Sequence, residues 1–216
     1  PEETRELWES VSSGLLVEGY GLTEASPVAL GNPFFPTRVS GTIGVPFPST
    51  LMKVVEVDDP SREVGVDEPG ELLIKGPQVF QGYWRDPETT SDTLVDGWLR
   101  TGDIAVVDDG GYLYLVDRAK DLIIVSGFNV YPAEVEDVLL DHPDVAECGV
   151  VGVPHPHTGE AVKAFVVLRA GARAHEDSLV TWCLDNLARY KCPSKIVFVD
   201  ELPRNVSGKL LRRSLI

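Results

Sequence analysis

Hydrophobic positions along the chain change their spacing near residue 120. Before that point, four short runs alternate apolar and polar residues, and turn-forming Gly, Pro and Asp residues separate them. These runs cover residues 51–57, 71–75, 104–107 and 112–116. Alternation over about four to eight residues is typical of half-buried strands, and Asp-Gly between two such runs is a hairpin signal. The pattern predicts a small antiparallel, β-barrel-like subdomain over residues 51–117.

After residue 120, runs with helical spacing alternate with runs of strand length. Residues 132–142 begin with Pro132 and carry apolar residues on one helical face, and residues 177–189 repeat this spacing. The strand-length runs are 145–153, 162–168 and 195–199. The fold class expected for the chain is therefore α/β (α+β), with the β subdomain followed by a compact α/β C-terminal domain.

The remaining segments carry weaker patterns. We expect a helix over residues 3–12, a strand over 15–20, surface loops over 26–49 and 76–96, and a basic helix over 210–215. Within the second of these loops, Tyr83 and Trp84 are expected to pack against the strands, because large aromatic side chains gain most from burial.

Composition narrows the function classes. The 216 residues carry a formal net charge of -15, which argues against bulk binding to nucleic acid or anionic lipid. The sequence shows no apolar run long enough to span a membrane and no leader pattern, and its cysteines do not have the spacing of metal ligands. We therefore expect a cytoplasmic protein with free thiols. Peripheral membrane contact and the oligomeric state stay open. Residues 189–216 are basic, which suits either a phosphorylated small molecule or a solvated tail.

Two glycine turns place oxygen ligands after apolar runs. Tyr20-Gly21-Leu22-Thr23-Glu24 combines a hydroxyl that can donate to phosphate with a carboxylate that can hold Mg²⁺, although Thr and Glu also cap helices. Thr101-Gly102-Asp103 presents a carboxylate that could accept from the two hydroxyls of a ribose, or could simply cap a turn.

A glycine–lysine pair near the C-terminus suggests phosphate chemistry. In Ser207-Gly208-Lys209, glycine lets the backbone approach a ligand and lysine supplies a mobile positive charge, as an acyl-phosphate transfer requires. The spacing is not that of a P-loop, and an ordinary basic terminus is the alternative. By contrast, His155 and His157 lack a third nearby ligand and are expected to face solvent.

The segment from residue 117 to residue 136 joins the two patterns. It contains Arg118 and Lys120, an apolar run, the small-residue turn Ser126-Gly127 and a helix start. A charged residue between domains stays solvated and can change φ and ψ without breaking a core, so Lys120 is a candidate hinge. An exposed, salt-bridged turn is supported equally well.

Five segments in this order resemble the acyl-adenylate-forming (AMP-binding) superfamily, and within it the fatty acyl-CoA synthetases. They are YGLTE at 20–24, GELLIKGPQVFQGYW at 70–84, GWLRTGD at 97–103, DRAKDLIIVSGFNVYPAEVE at 117–136 and LPRNVSGKLLRR at 202–213. The resemblance implies activation of a carboxylic acid by ATP as acyl-AMP, followed by transfer to CoA. It also implies ATP, Mg²⁺ and CoA as the cofactor and co-substrates.

The resemblance assigns roles to the matching residues. Around the nucleotide, Tyr20 and Gly21 would lie near the adenine, Asp103 and Arg118 at the ribose, Thr23 at the phosphate and Glu24 on Mg²⁺. Lys209 would act at the adenylation site, and Ser126 and Gly127 would line the pantetheine tunnel. Lys120 would be the hinge residue. The implied domains are a remnant of the large AMP-binding domain (1–50), its β subdomain (51–117), a hinge (118–121) and a mobile domain (122–216).

The family's phosphate loop and most of its large domain have no counterpart in the 216 residues. We therefore expect this chain alone to form no acyl-CoA. Two other hypotheses stay open. The protein could be an aryl or amino-acid adenylating enzyme that loads a carrier protein, or a non-catalytic AMP-binding module. The acyl chain length and the choice between CoA and a carrier protein as acceptor are not readable from these segments.

Overall fold

The computed structural model describes residues 2–12, 14–34, 39–206 and 208–216, with side chains from residue 5 onward. These residues form two compact units, divided between Ala119 and Lys120. The predicted fold class is confirmed, because antiparallel strands dominate the first unit and helices pack on a mixed sheet in the second. Among the described residues, no helix has both the length and the apolar composition that a membrane span requires.

The first unit contains two sheets. Its elements are α1 (Glu2–Val11), β1 (Gly19–Gly21), β2 (Val28–Gly31), β3 (Val45–Pro46), β4 (Leu51–Val55), β5 (Gly70–Lys75), α2 (Pro87–Thr93), β6 (Leu94–Val95), β7 (Trp98–Val107) and β8 (Leu113–Arg118). The strands β1, β2 and β3 form one antiparallel sheet in that order. In the other sheet, β4 pairs with β5 and β5 with β7, and the long β7 also pairs with β6 and β8.

A shared core joins these two sheets. Leu72 and Ile74 of β5, Leu99 of β7 and Leu113 of β8 are fully buried, and they belong to one cluster with Leu30 of β2. Burying one such side chain is worth about 1.5–3 kcal/mol. Leu73, on the opposite face of β5, is also buried, so this strand is covered on both faces. The expected antiparallel β subdomain is confirmed, and its bounds, residues 51–117, stay a prediction.

The second unit is a five-stranded sheet with helices on one face. Its elements are β9 (Ile123–Val125), β10 (Phe128–Val130), α3 (Pro132–Leu140), β11 (Val145–His155), β12 (Gly159–Leu168), α4 (Glu176–Asn186) and β13 (Lys195–Phe198). The strand order is β10-β9-β12-β11, and β13 runs parallel to β12. Val135, Leu139, Leu179 and Cys183 of the two helices are fully buried against the sheet. The helices and strands predicted over residues 132–199 are confirmed, with ends shifted by up to three residues.

The second face of this sheet is covered by the C-terminal segment. Leu202 and Leu215 pack against Val151 of β11 and Phe165 of β12. The basic helix expected over residues 210–215 is only a three-residue 3-10 turn, Arg212–Ser214. The segment is therefore held by apolar anchors rather than by helix formation.

Two expected loops contain regular structure. Residues 26–49 include β2 and β3, which were missed because strands of two to four residues rich in Gly and Pro give no alternation. Residues 76–96 include α2, which begins with Pro87 after Asp86, whose side chain accepts from the Thr89 amide. Trp84 is 86% exposed, so the expectation that it packs against the strands was wrong.

Two further local expectations need correction. The strand expected over residues 15–20 is limited to Gly19–Gly21. After the turn at Ser126 and Gly127 the chain does not enter the helix directly. It first forms β10, which pairs with β9 as a hairpin.

Candidate functional site

A β-bulge in the middle of β7 positions Asp103. Arg100 pairs with Leu73 and Ile104 with Glu71, so three residues of β7 stand opposite the single residue Leu72. Gly102, inside the bulge, has a φ of +68°, a value that glycine adopts without strain. The sequence predicted a turn here. The structure instead shows a continuous strand with a bulge, and bulges commonly re-aim a side chain beside a functional site.

Three of the predicted site residues meet at this bulge. The hydroxyl of Tyr20 donates to Oδ2 of Asp103 at 2.6 Å, and Nε of Arg118 lies 2.9 Å from Oδ1. Asp103 is buried, whereas the Arg118 side chain is 54% exposed. We call Tyr20, Asp103 and Arg118 the carboxylate cluster. An ionised carboxylate offers about four lone-pair sites, so Asp103 can still accept from ligand hydroxyls.

Tyr20 acts in the structure as a fixed hydrogen-bond donor. Burial raises its pKa first, and the hydrogen bond to Asp103 and the charge of Asp103 raise it further above the usual value of about 10. The phenol therefore stays protonated and keeps Oδ2 of Asp103 in place. Only 7% of Tyr20 is exposed, which leaves little of its ring available to a ligand.

Stability at high pH should depend on Tyr20. On unfolding, the phenol loses its proton near pH 10, whereas the folded protein retains it. Its stabilising contribution is therefore complete below about pH 10 and is lost as the pH rises further, by up to about 1.4 kcal/mol per pH unit. In Tyr20→Phe this part of the slope is absent.

Urea unfolding of the complete protein between about pH 9 and pH 11 measures that slope. The control is Tyr190→Phe, which removes a phenol hydroxyl in the second unit while keeping the ring that stacks on Phe128. Equal slopes for the wild type and Tyr20→Phe would contradict the assignment of the alkaline slope to Tyr20.

Gly21 has a steric reason to be glycine. A Cβ placed on Gly21 would lie 1.8 Å from the carbonyl oxygen of Pro27, far inside van der Waals contact. The chain therefore approaches its own backbone closely at this position. This close approach explains the residue type without any ligand, and the binding role suggested for Gly21 stays a prediction.

Thr23 and Glu24 lie on a 3-10 turn, Thr23–Ala25, directly after β1. Thr23 is exposed and Glu24 is half-buried. Leu22 occupies the N-cap position and makes no capping hydrogen bond through its side chain, so neither Thr23 nor Glu24 is the N-cap. The exposed side chain of Thr23 is therefore accessible to a ligand.

Tyr83 is a partner of Glu24 that sequence reasoning missed. Its hydroxyl donates to Oε1 of Glu24 at 2.7 Å, and its ring packs edge-on against Phe80. The hydrogen bond to Glu24 is the main cause that raises the pKa of Tyr83. A single carboxylate with one oxygen so engaged suits Mg²⁺, which commonly uses one or two carboxylates together with substrate phosphates.

In the second unit, Ser126 and Gly127 form the turn between β9 and β10. Both have positive φ angles and both are exposed. The amide of Ser126 donates to the carbonyl of Thr158 at 2.8 Å, which ties the turn to the start of β12. Beside the turn, the rings of Phe128 and Tyr190 stack with their centroids 4.9 Å apart.

Lys209 lies on a small loop with a fixed base. Its backbone amide donates to Oδ1 of Asn205, its carbonyl accepts from the Asn205 amide, and Nη1 of Arg204 donates to the carbonyl of Gly208 at 2.7 Å. Lys209 is exposed, so its long side chain extends from an anchored loop. Ser207, part of the same predicted feature, lies outside the described residues. Lys120 is also exposed, on the 3-10 turn Ala119–Asp121.

Arg212 fastens the segment that follows this loop. Its Nη2 lies 2.6 Å from Glu136 of α3, and its Nη1 lies 3.6 Å from Asp121. From the sequence, Arg212 was predicted only as part of a basic C-terminal segment. The contact to Glu136 spans 76 residues, and no local pattern signals a contact of that range.

Two histidines follow their prediction, and two of the cysteines are buried. His155 and His157 are exposed, with ring centroids 5.9 Å apart. Cys148 and Cys183 are buried, and burial raises the pKa of each thiol to about 12. Cys192 is half-buried, with Sγ 3.6 Å from the carbonyl oxygen of Ala188. High thiol pKa values disfavour thiolate nucleophiles at Cys148 and Cys183.

Comparison with known proteins gives consistent matches. The family model for "AMP-binding enzyme" matches residues 1–84, and that for "AMP-binding enzyme C-terminal domain" matches residues 134–209. A long-chain-fatty-acid–CoA ligase of Escherichia coli O6:H1 is 51% identical over 97% of this chain, which covers 37% of that protein.

Solved structures agree with these matches. ATP-bound MatB from Rhodopseudomonas palustris superposes with a TM-score of 0.89 at 38% identity, over 99% of this chain and 42% of MatB. The O-succinylbenzoate coenzyme A synthetase (MenE) of Bacillus subtilis with AMP gives 0.82 at 36% identity, over 100% of this chain and 43% of MenE. The chain thus spans well under half the length of the proteins that it matches.

Proposed function

Because the chain belongs to the AMP-binding (acyl-adenylate-forming) enzyme family, we propose that the complete protein containing it is an ATP-dependent acid–thiol ligase. It activates a carboxylic acid as acyl-AMP and transfers the acyl group to CoA. A fatty acid is the proposed substrate, in keeping with a relative that is 51% identical and is named as a long-chain-fatty-acid–CoA ligase.

The observation that carries the proposal is the carboxylate cluster. Asp103 is a buried carboxylate whose two oxygens are held by a phenol and a guanidinium. A buried carboxylate contributes little to packing, but it can accept hydrogen bonds from a ligand with neighbouring hydroxyl groups. The ribose of a nucleotide has two such hydroxyl groups. A charged acceptor also makes stronger hydrogen bonds than a neutral one, which supports tight nucleotide binding.

The proposed reaction has two steps. In the first, an oxygen of the substrate carboxylate attacks the α-phosphorus of ATP, and the bond from that phosphorus to pyrophosphate breaks. In the second, the sulfur of CoA attacks the acyl carbon, its proton passes to solvent, and the carbon–oxygen bond to AMP breaks. The carboxylate cluster holds the same nucleotide through both steps.

The other predicted residues take roles in these steps. Thr23 donates to a phosphate oxygen, and Glu24, oriented by Tyr83, is the residue that would hold Mg²⁺. Bound Mg²⁺ would neutralise charge on the leaving pyrophosphate. Lys209 supplies positive charge during the first step. Ser126 and Gly127 line the path of the pantetheine arm during the second step. Lys120 is the hinge residue that lets the second unit act first in one step and then in the other.

Product analysis of the purified complete protein tests the proposal. With ATP, Mg²⁺, a long-chain fatty acid and CoA, we expect AMP, pyrophosphate and acyl-CoA in equal amounts, and acyl-AMP when CoA is left out. Formation of ADP and phosphate, or thioester formation without ATP, would contradict the proposal. The 216-residue chain alone is expected to form no acyl-CoA, and its turnover would overturn that expectation.

A second candidate is an adenylating enzyme that acts on an aryl acid. It is supported by the similarity to the B. subtilis O-succinylbenzoate coenzyme A synthetase over the whole chain. Comparing kcat/KM for a fatty acid and for O-succinylbenzoate separates the two substrates, and replacing CoA by a phosphopantetheinylated carrier protein tests the acceptor. Nucleotide binding without any acyl-AMP would identify a non-catalytic module. A cytoplasmic location is also proposed, and cell fractionation tests it.

A further inference from the structure

We propose that Glu71 is a positioning residue for Asp103, so that it controls nucleotide binding without contacting the nucleotide. This inference rests on the proposed function, in which Asp103 binds the ribose. Glu71 lies on β5, opposite the bulge of β7. Its side chain is only 3% exposed, although glutamate is almost never buried without a partner.

The carboxylate of Glu71 spans the bulge. Its Oε2 accepts from Nε of Arg100 at 3.0 Å, and its Oε1 accepts from the backbone amide of Gly102 at 3.2 Å. A neutral amide side chain at this position would have to turn its NH₂ group toward one of these two donors. Only an ionised carboxylate satisfies a guanidinium and a backbone amide together.

Thr101 holds the other side of the same bulge. Its hydroxyl donates to the carbonyl of Leu72 at 2.7 Å and accepts from the backbone amide of Asp103 at 3.1 Å. The amides of Gly102 and Asp103 therefore both donate to side-chain oxygens rather than completing a regular ladder with β5. Glu71 and Thr101 together determine the direction in which the Asp103 carboxylate points.

This direction matters because Asp103 must face two partners at once. Its Oδ2 lies at the Tyr20 hydroxyl and its Oδ1 at Nε of Arg118. A change in the bulge that moves the carboxylate by about 1 Å would break hydrogen bonds of ordinary length. Burying the Glu71 carboxylate costs desolvation free energy, and its bonds to the partly exposed Arg100 and to the Gly102 amide offset that cost.

Steady-state kinetics of Glu71→Gln in the complete protein test the inference. We expect KM for ATP and Kd for AMP to rise about tenfold while KM for CoA stays unchanged. This effect is smaller than the loss of a hydrogen bond to a charged group, because Glu71 acts on the nucleotide only through Asp103. Glu71→Asp, which keeps the charge, should recover part of the affinity. A merely structural role for Glu71 would lower the unfolding midpoint but leave the ratio of the two KM values as it is.

Two further variants keep the result interpretable. Gly102→Ala changes the bulge without touching any charge, since a Cβ there would meet nothing within 4 Å and only the φ of +68° is strained. If Glu71→Gln fails to fold, Gly102→Ala must still raise KM for ATP selectively, or the inference is wrong. Glu56→Gln is the matched control, because it removes the exposed pair with Arg62 in the same unit and should change neither KM.

Failure of this inference is distinguishable from failure of the proposed function. If the wild-type protein forms no acyl-AMP from ATP, the proposed function fails. If the wild type is active and Asp103→Asn weakens AMP binding, but Glu71→Gln and Gly102→Ala bind AMP normally, only the role of Glu71 is refuted.

Discussion

Replacing Lys209 with Ala in the complete protein is expected to slow acyl-AMP formation about 100- to 1,000-fold, the usual cost of losing one group that stabilises developing charge. The transfer of a preformed acyl-AMP to CoA should be nearly unchanged. The physical reason is that bonds to the α-phosphorus form and break only in the first step, where negative charge develops around that phosphorus and on the leaving pyrophosphate. An ammonium group that acts on that charge contributes nothing when the thiol attacks.

The structure supports a mobile role for this side chain. Lys209 is exposed, while its backbone is fixed by Asn205 and its neighbouring carbonyl by Arg204. A long flexible stem on an anchored loop can reach a ligand without unfolding its surroundings. The ammonium group of Lys209 can therefore move over a long distance while the backbone of the loop stays in place.

Single-turnover measurements of the two steps check this prediction. Arg213→Ala is a suitable control, since it removes one exposed positive charge four residues away without touching the loop. An equal loss in both steps for Lys209→Ala would contradict the assignment, because it would indicate damage to the fold or to nucleotide binding instead.

Replacing Asp103 with Asn is expected to weaken AMP binding by roughly 100-fold. Hydrogen bonds to charged groups are worth about 1.5–3 kcal/mol, and asparagine keeps the shape of the side chain while removing the charge. Arg118 remains largely in solvent, so the loss of its partner is tolerated. The effect should therefore appear in binding more than in folding.

Titration calorimetry with AMP measures this loss directly. Asp108→Asn is the matched control, because Asp108 also accepts hydrogen bonds, from the Tyr112 amide and the Tyr114 hydroxyl, but at the tip of the β7–β8 hairpin. We expect Asp108→Asn to bind AMP as the wild type does. Equal losses of affinity for the two variants would show that the carboxylate cluster is not the nucleotide site.

Much of the fold was predictable because its cores are periodic. Leu72, Ile74, Leu99 and Leu113 belong to one buried cluster, and the apolar runs of strand length that contain them are visible in the sequence. In the second unit, Leu139 and Leu179 follow helical spacing for the same reason. The short strands β2 and β3 escaped prediction because segments of two to four residues that contain Gly or Pro show no alternation.

The sequence indicated three residues of the candidate site but not their geometry, and their roles in binding stay predictions. Tyr20, Asp103 and Arg118 were identified from the order of the sequence segments, and the structure brings these three together. The bulge was not foreseen, because Gly102 in a sequence indicates a turn as readily as a strand irregularity. Glu71 was predicted only as the first residue of a strand, and its burial was not foreseen because glutamate is rarely buried.

Long-range polar contacts were the other omission. Tyr83 and Glu24 are 59 residues apart, and neither has a local pattern that points to the other. Hydrogen bonds between side chains depend on the final packing of the sheets. Periodicity reports only burial, so it carries no information about such pairs.

A crystal structure of the complete protein with AMP tests the central claim most directly. We expect both ribose hydroxyls to lie within about 2.7–3.2 Å of the Asp103 carboxylate oxygens, with Tyr20 and Arg118 still bonded to them. AMP bound elsewhere, with no ribose contact to Asp103, would contradict the account.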